Sequence, residues 1–240
     1  MLRFYQAELV KDASPGNAYL VRLAWLFTHG QPVNLRGHYY GITLVLKQGD
    51  SPFGGILNLL WGHTVGPVSP WAGKSFAHVA DQRMSGYTDG AKPGNVPVFL
   101  GINCFSRVAE SFWNTAGIEF MTLWVGLREA PASEQERYGY ARKGGLFISR
   151  EAESVDPGNA GKKVLQLNYR WPNLGNPPPL SYLIDEMVGI AQGLYLGQLL
   201  FASDILTKYD PARPSSDYRY AHYGYFLLMD ESWHKKGEEA

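Results

Sequence analysis

The chain is interrupted at short intervals by 27 glycines and 15 prolines, and between them lie mostly brief runs of aromatic and aliphatic residues. Few architectures fit that punctuation. Long helices need stretches free of Gly and Pro, whereas many short strands joined by turns use both residues at their corners. The clearest runs are Tyr39 to Lys47, Val96 to Phe105, Leu146 to Arg150, Lys163 to Trp171, Leu194 to Ala202 and Tyr218 to Met229. Each is rich in residues that suit a pleated, half-buried surface. Phe4 to Val10, Ile56 to Trp61 and Ile118 to Val125 are weaker strand candidates. About eight or nine strands suffice to close a barrel, so the expected fold is mainly β, a β-rich α+β antiparallel barrel with a few short helices.

Three helices are expected among the strands. Leu180, Leu183, Ile184, Met187 and Val188 recur at helical spacing directly after Pro177 to Pro179, which predicts a helix over Leu180 to Val188. Asn17 is placed to cap a second over Ala18 to Thr28, ending near Gly30, with a buried strand as the alternative for so apolar a segment. Pro131 opens a third that carries Glu134, Glu136 and Arg137. The polar stretches Gly158 to Lys163 and Asp210 to Asp217 read as surface loops, and residues 1–240 as one domain with a frayed tail from His234 to Ala240.

The 22 basic and 22 acidic residues cancel, so no long-range field draws the chain to nucleic acid or anionic lipid. Cys104 is the single cysteine, which excludes an internal disulfide framework and a multi-cysteine metal site. Met1 to Val10 lacks the continuous apolar stretch of a signal peptide. Tyr19 to Phe27 is apolar but contains Arg22 and is too short to cross a bilayer. A soluble, cytoplasmic protein without a membrane span is the expectation.

The phosphate-binding, dinucleotide, zinc-protease, nucleophile-elbow and CxxC signatures are all absent. His29, His38, His63, His78, His222 and His234 form no i,i+2 or i,i+4 pair, so no metal site is expected and no cofactor is assigned.

Candidate binding residues emerge from strand alternation. In Lys163 to Trp171, Gln166, Asn168 and Arg170 share one face, and Leu165, Leu167, Tyr169 and Trp171 share the other. One reading leaves the polar face in solvent. The other turns it into a barrel lumen, where Arg170 grips a carboxylate or phosphate while Gln166 and Asn168 orient it. Gln198 is the polar exception in an apolar strand that also carries Tyr195, and it must be hydrogen-bonded to protein or ligand. Asp185 and Glu186 point away from the apolar stripe of the expected helix, either as a solvated face or with Glu186 as a general acid or base. Tyr218, Tyr220, His222, Tyr223 and Tyr225 form an aromatic cluster that either fills a core rim or lines a pocket, with His222 as base or haem ligand. Lys74, in a turn-like stretch with Trp71, Gly73 and Phe76, is either a surface lysine or a group at a barrel mouth. Cys104 reads as a small core residue. Trp171, Tyr195 and Phe226 are expected to be buried.

Gly37 to Gly41, Gly-His-Tyr-Tyr-Gly, resembles the opening Gly-x-aromatic motif of lipocalin-like (calycin) barrels. Trp71-Ala-Gly-Lys-Ser-Phe76 and the late order of strand, short helix and two strands support the likeness. The resemblance implies an antiparallel barrel with an apolar pocket for a lipid, pigment or other hydrophobic ligand. The chain departs from that family in length and in lacking its disulfide pair, and no site residue is carried over.

Two functions follow as expectations. The first is binding or carriage of a hydrophobic or amphipathic small molecule in a barrel cavity, with Arg170 placed to hold an acidic head group. The alternative is a barrel-fold lyase, isomerase or hydratase in which His222 or Glu186 moves a proton and Tyr225 steers the substrate.

Overall fold

The computed structural model describes residues 2–12, 14–46, 62–66, 69–88, 98–106, 112–204, 207–213 and 217–238. Nine strands form one antiparallel sheet: β1 (Gly37–Leu46), β2 (Trp71–Ala77), β3 (Phe99–Ser106), β4 (Arg128–Glu129), β5 (Tyr140–Glu153), β6 (Lys163–Asn168), β7 (Leu183–Ala191), β8 (Leu194–Ala202) and β9 (Tyr220–Met229). The sheet runs β3-β2-β1-β9-β8-β7-β6-β5-β4, and a second pairing of β3 with β5 closes it. The result is an eight-strand antiparallel barrel with β4 as a short flap on β5. This is the architecture expected from the turn spacing.

The helices lie outside the wall and at one end. Among the described residues they include α1 (Leu2–Lys11), α2 (Ala18–His29), α3 (Asp81–Thr88), α4 (Phe112–Val125), α5 (Ala132–Tyr138) and α6 (Glu231–Glu238). Asn17 caps α2 by accepting the Tyr19 N–H at 2.8 Å. At the other end, Lys162 donates to the Thr28 and Gly30 carbonyls at 2.9 and 2.6 Å, satisfying acceptors that a helix end leaves open. The apolar stripe of α2 and Leu9 of α1 pack on Leu44, Val188, Leu196 and Leu227. Among the described residues no helix is long and apolar enough to cross a membrane.

Inside the barrel, residues from each of the eight wall strands make one core. Leu165, Leu167, Tyr169, Leu183, Met187, Leu199, Phe201, Phe226 and Phe147 all belong to it. Two cross-strand glycines let aromatic rings lie against the wall. A Cβ on Gly101 would meet the Phe147 ring at 1.9 Å, and one on Gly197 would meet the Phe226 ring at 2.2 Å. Ile118 and Met121 of α4 enter the same core from one end.

Several local expectations are corrected. Leu180 to Val188 is not a helix. Leu180–Tyr182 is one 3-10 turn, and β7 follows from Leu183. Its residues are buried on both faces, and a strand covered on both sides carries apolar residues almost continuously, which mimics helical spacing. Phe4 to Val10 is helical within α1, and Ile118 to Val125 lies in α4, where Ile118 and Met121 recur at helical rather than strand spacing. Trp71 to Phe76 is strand β2 and not a turn. Gly73, at φ +123°, absorbs a bulge there because a Cβ would fall 2.1 Å from the Tyr39 carbonyl oxygen. The tail from His234 is helical to Glu238. Ile56 to Trp61 lies outside the described residues. Trp171 and Phe226 are buried as expected, whereas Tyr195 is only half-buried.

Candidate functional site

Among the described residues, the charged groups of the lumen gather at one place. β2 turns Lys74 inward, β3 turns Asn103, β7 turns Asp185, and Tyr169 enters just beyond β6. All four are at least nine-tenths buried. Lys74 Nζ donates to Asn103 Oδ1 at 2.7 Å and to the Tyr169 hydroxyl at 2.5 Å, and lies 3.0 Å from Asp185 Oδ2. The Tyr169 hydroxyl donates to Asp185 Oδ2 at 3.0 Å, and Trp71 Nε1 donates to Asn103 Oδ1 at 3.2 Å. Asn103 is held in turn, its Nδ2 donating to the Gly145 carbonyl at 3.1 Å. Four rings surround the ammonium, with Trp71, Phe147, Tyr169 and Phe226 centroids 5.2 to 5.3 Å from Nζ. Such rings stabilise a desolvated cation through their quadrupoles.

The electrostatics of this cluster are dominated by loss of water. Burial pushes Lys74 below the ordinary lysine range, and the Asp185 carboxylate pulls the other way. Burial likewise pushes Asp185 above the usual carboxylate range against the pull of Lys74. Tyr169 is raised well above a normal phenol by burial and by the Asp185 charge. Both shifts weaken the charged form of the pair, and each partner's charge opposes the shift of the other.

Beside the cluster lies a cavity lined by Val65, Phe105, Met121, Leu180 and Leu199 together with Lys74, Asn103, Tyr169 and Asp185. It offers about 30 Å³ to water-sized molecules, and one water needs about 10–15 Å³ on that measure. Asp185 Oδ1 is buried without a hydrogen-bond partner. A buried acceptor in that state costs about 1–3 kcal/mol.

Most of the sequence-predicted site residues lie elsewhere. Lys74 was expected at a barrel mouth or on the surface and is instead at the centre of the lumen. Tyr223 also faces the lumen, and Tyr195 meets Tyr39 edge-on at 5.4 Å in the half-buried margin of the same core. Gln166, Asn168 and Arg170 face neither solvent nor lumen. Alternation with Leu165, Leu167 and Tyr169 puts them on the outer face of the wall, where an outer layer buries them.

Arg170 is the centre of that layer. Its guanidinium stacks on Tyr218, Tyr209 and Tyr220 at 4.7, 5.0 and 5.4 Å, and donates to the Tyr220 hydroxyl at 2.6 Å and the Thr207 carbonyl at 3.4 Å. Asn168 supports it, accepting the Arg170 N–H at 2.9 Å and donating to the Tyr209 hydroxyl at 2.9 Å. Trp171 packs against Tyr209 beneath an outer groove. Arg170→Ala is therefore expected to lower stability by about 2–3 kcal/mol, and Arg170→Lys to recover little, because an ammonium lacks the planar fork that stacks and donates twice. Urea unfolding of the three proteins checks this, and a loss within about 0.5 kcal/mol for Arg170→Ala would contradict the clamp.

Glu186 and Gln198 also face outward, paired across β7 and β8. Glu186 was expected on a solvated helix face or as a proton carrier. It is fully buried, and its carboxylate accepts from Ser154 Oγ, the Val155 N–H and Gln198 Nε2 at 2.6, 2.5 and 2.9 Å. His222 and Tyr225 touch at 4.4 Å between ring centroids on the outer face, and burial pushes Tyr225 up to about 12. These three residues do not converge with the lumen cluster. Cys104 is buried, and burial pushes its thiol up to about 11, so no thiolate forms near neutral pH. Among the described residues no group of three metal-ligating side chains occurs.

Asp185, Tyr169 and Asn103 are the site residues that sequence reasoning passed over. The available signal was parity: Lys74 shares its strand face with Phe76, and Asn103 shares its own with Phe105. No protein-family model, curated protein or solved structure matches this chain.

Proposed function

We propose that the barrel binds a small molecule in its lumen, with the molecule's polar end at Lys74, Asp185 and Asn103 and its apolar end against Met121, Phe105 and Leu199. The observation that carries this reading is the buried, unpartnered Asp185 Oδ1 at the edge of an apolar cavity. Buried polar atoms are normally satisfied, and a ligand hydroxyl or carboxylic acid O–H would supply the missing donor. The ligand enters the lumen as in a lipocalin-like barrel, but its head is read by Lys74 rather than by Arg170.

The cavity bounds the ligand's size. Two waters occupy about 60 Å³ of liquid, which corresponds to roughly three or four non-hydrogen atoms. At the ceiling of about 1.5 kcal/mol per atom, four atoms give at most about 6 kcal/mol, so non-covalent affinity is no tighter than tens of micromolar. A lipid-sized guest would require the α4 end of the barrel to move.

Methyl NMR of the full chain titrated with 2-propanol, acetone and propionate tests the reading. Saturable shifts at the Met121 methyl and at Leu180 and Leu199 are expected for at least one probe, and their loss in Met121→Phe, which fills the space. Unchanged lumen methyls up to about 100 mM of every probe, well above that affinity range, would overturn it.

A further inference from the structure

A lysine buried beside an apolar cavity can react with a guest as well as bind it. Ion pairs that serve only architecture usually have every donor and acceptor matched. Here one carboxylate oxygen faces the cavity unmatched, the amine sits among four aromatic rings, and a phenol touches both partners.

We infer that Lys74 is a reactive amine that captures an aldehyde or ketone of about two or three carbons as an imine within the lumen, a step that rests on the lumen being the binding site. Small size argues for covalent capture, since contacts with so few atoms cannot by themselves hold a guest tightly. The residues present suit each stage. Proton transfer from Lys74 Nζ to Asp185 across 3.0 Å leaves a neutral amine, and burial lowers the cost of that transfer. The Nζ lone pair then forms a bond to the carbonyl carbon while the carbonyl π pair moves to oxygen. That oxygen takes the amine's surplus proton, giving a carbinolamine. Asp185 next donates its proton to the carbinolamine hydroxyl, the C–O bond breaks, and water leaves as the nitrogen lone pair forms the C=N bond. The resulting iminium nitrogen carries one proton, which returns to the Asp185 carboxylate if the imine is neutral. Carbonyl and amine are converted to imine and water with no change of oxidation state. Tyr169 is a positioning residue, since its hydroxyl holds Nζ and Asp185 Oδ2 together.

The full-length protein incubated with acetaldehyde and sodium cyanoborohydride, sampled over time and mapped by peptide mass spectrometry, tests the inference. Reduction fixes any imine as an ethylated lysine. Lys74 is expected to be ethylated roughly tenfold faster than exposed Lys11, Lys163 and Lys235, an advantage for an amine that burial makes easier to deprotonate in a preformed site. In Met121→Phe, with the cavity filled, the Lys74 rate should fall below that of the exposed lysines while theirs stay unchanged. Leu199→Phe fills the same space from the opposite wall and serves if the first variant does not fold. Lys74 labelling no faster than the surface lysines, or unaffected by filling the cavity, overturns the inference. If any of the three probes still shifts the lumen methyls, imine capture falls and lumen binding stands. If none does, both fall.

Discussion

Lys74→Met is expected to lower the stability of the barrel by about 3–5 kcal/mol, because it leaves the Asp185 carboxylate buried with no counter-charge. The methionine fits where the lysine stem already runs, so lost volume contributes little. The expected loss is electrostatic, and two further measurements identify it as such. In Lys74→Met/Asp185→Leu both charges are gone from a lumen that is otherwise apolar, and urea unfolding should show most of the stability recovered, since matched removal of a buried pair is often neutral or stabilising. The single variant should also depend on pH in a defined direction. Burial holds the folded-state pKa of Asp185 above its unfolded value, and Lys74 is the group that pulls it down. Without Lys74 the folded pKa rises further. A carboxyl raised in the folded state stabilises below its unfolded pKa, about 3.9, and that stability is lost as pH rises through the folded pKa. The deficit of Lys74→Met relative to wild type should therefore be largest at alkaline pH and shrink as pH falls toward that unfolded value. A deficit independent of pH, with no recovery in the double variant, would show that packing rather than charge holds the cluster.

How far the sequence carries to this site depends on which elements are covered on one face and which on two. β8, Leu194–Ala202, is read correctly to its ends because Gly193 and Ser203 bound an apolar run of strand length. β6 is read correctly as a strand, but its polar face resists assignment. Gln166, Asn168 and Arg170 belong neither to solvent nor to a lumen, and a third environment, an outer layer that includes Thr207, Tyr209, Tyr218 and Tyr220, has no signature in local alternation. β7 is misread as a helix for the same reason: both its faces are buried, so Asp185 and Glu186 look like a polar stripe when they are inward and outward neighbours on a pleat. Lys74 and Asp185 are more than one hundred residues apart in the sequence and meet only because β2 and β7 face each other across a closed wall. Barrel closure is visible in strand number, but the pairs that face one another across it are fixed by register, which periodicity alone does not set.

Glu186→Ala is expected to be comparably severe, at about 3–5 kcal/mol, and for a different reason. Three donors converge on its carboxylate from two directions: Ser154 and Val155 from the connection after β5, and Gln198 from β8. Truncation leaves Ser154 and Val155 without this acceptor, and Gln198 with only a 3.5 Å contact to Asp156 Oδ2, in a place where water does not reach Glu186, and an unmatched buried group costs about 1–3 kcal/mol. Losses within one network are not additive, which keeps the total below the sum. Glu186→Gln separates shape from hydrogen bonding. The amide keeps the volume and one oxygen but turns an NH₂ group toward donors, so a loss of about 1–3 kcal/mol is expected from that change alone. The local readout is hydrogen exchange at the Val155 amide, whose partner is the Glu186 carboxylate. It should lose protection in Glu186→Ala in step with the global loss, whereas β1 and β2 amides change only as far as global stability does. If Glu186→Ala stayed within about 0.5 kcal/mol of wild type, the range of ordinary surface changes, with Val155 still protected, the carboxylate could not be fastening residues 154–162 to the barrel wall, and its burial would need another cause.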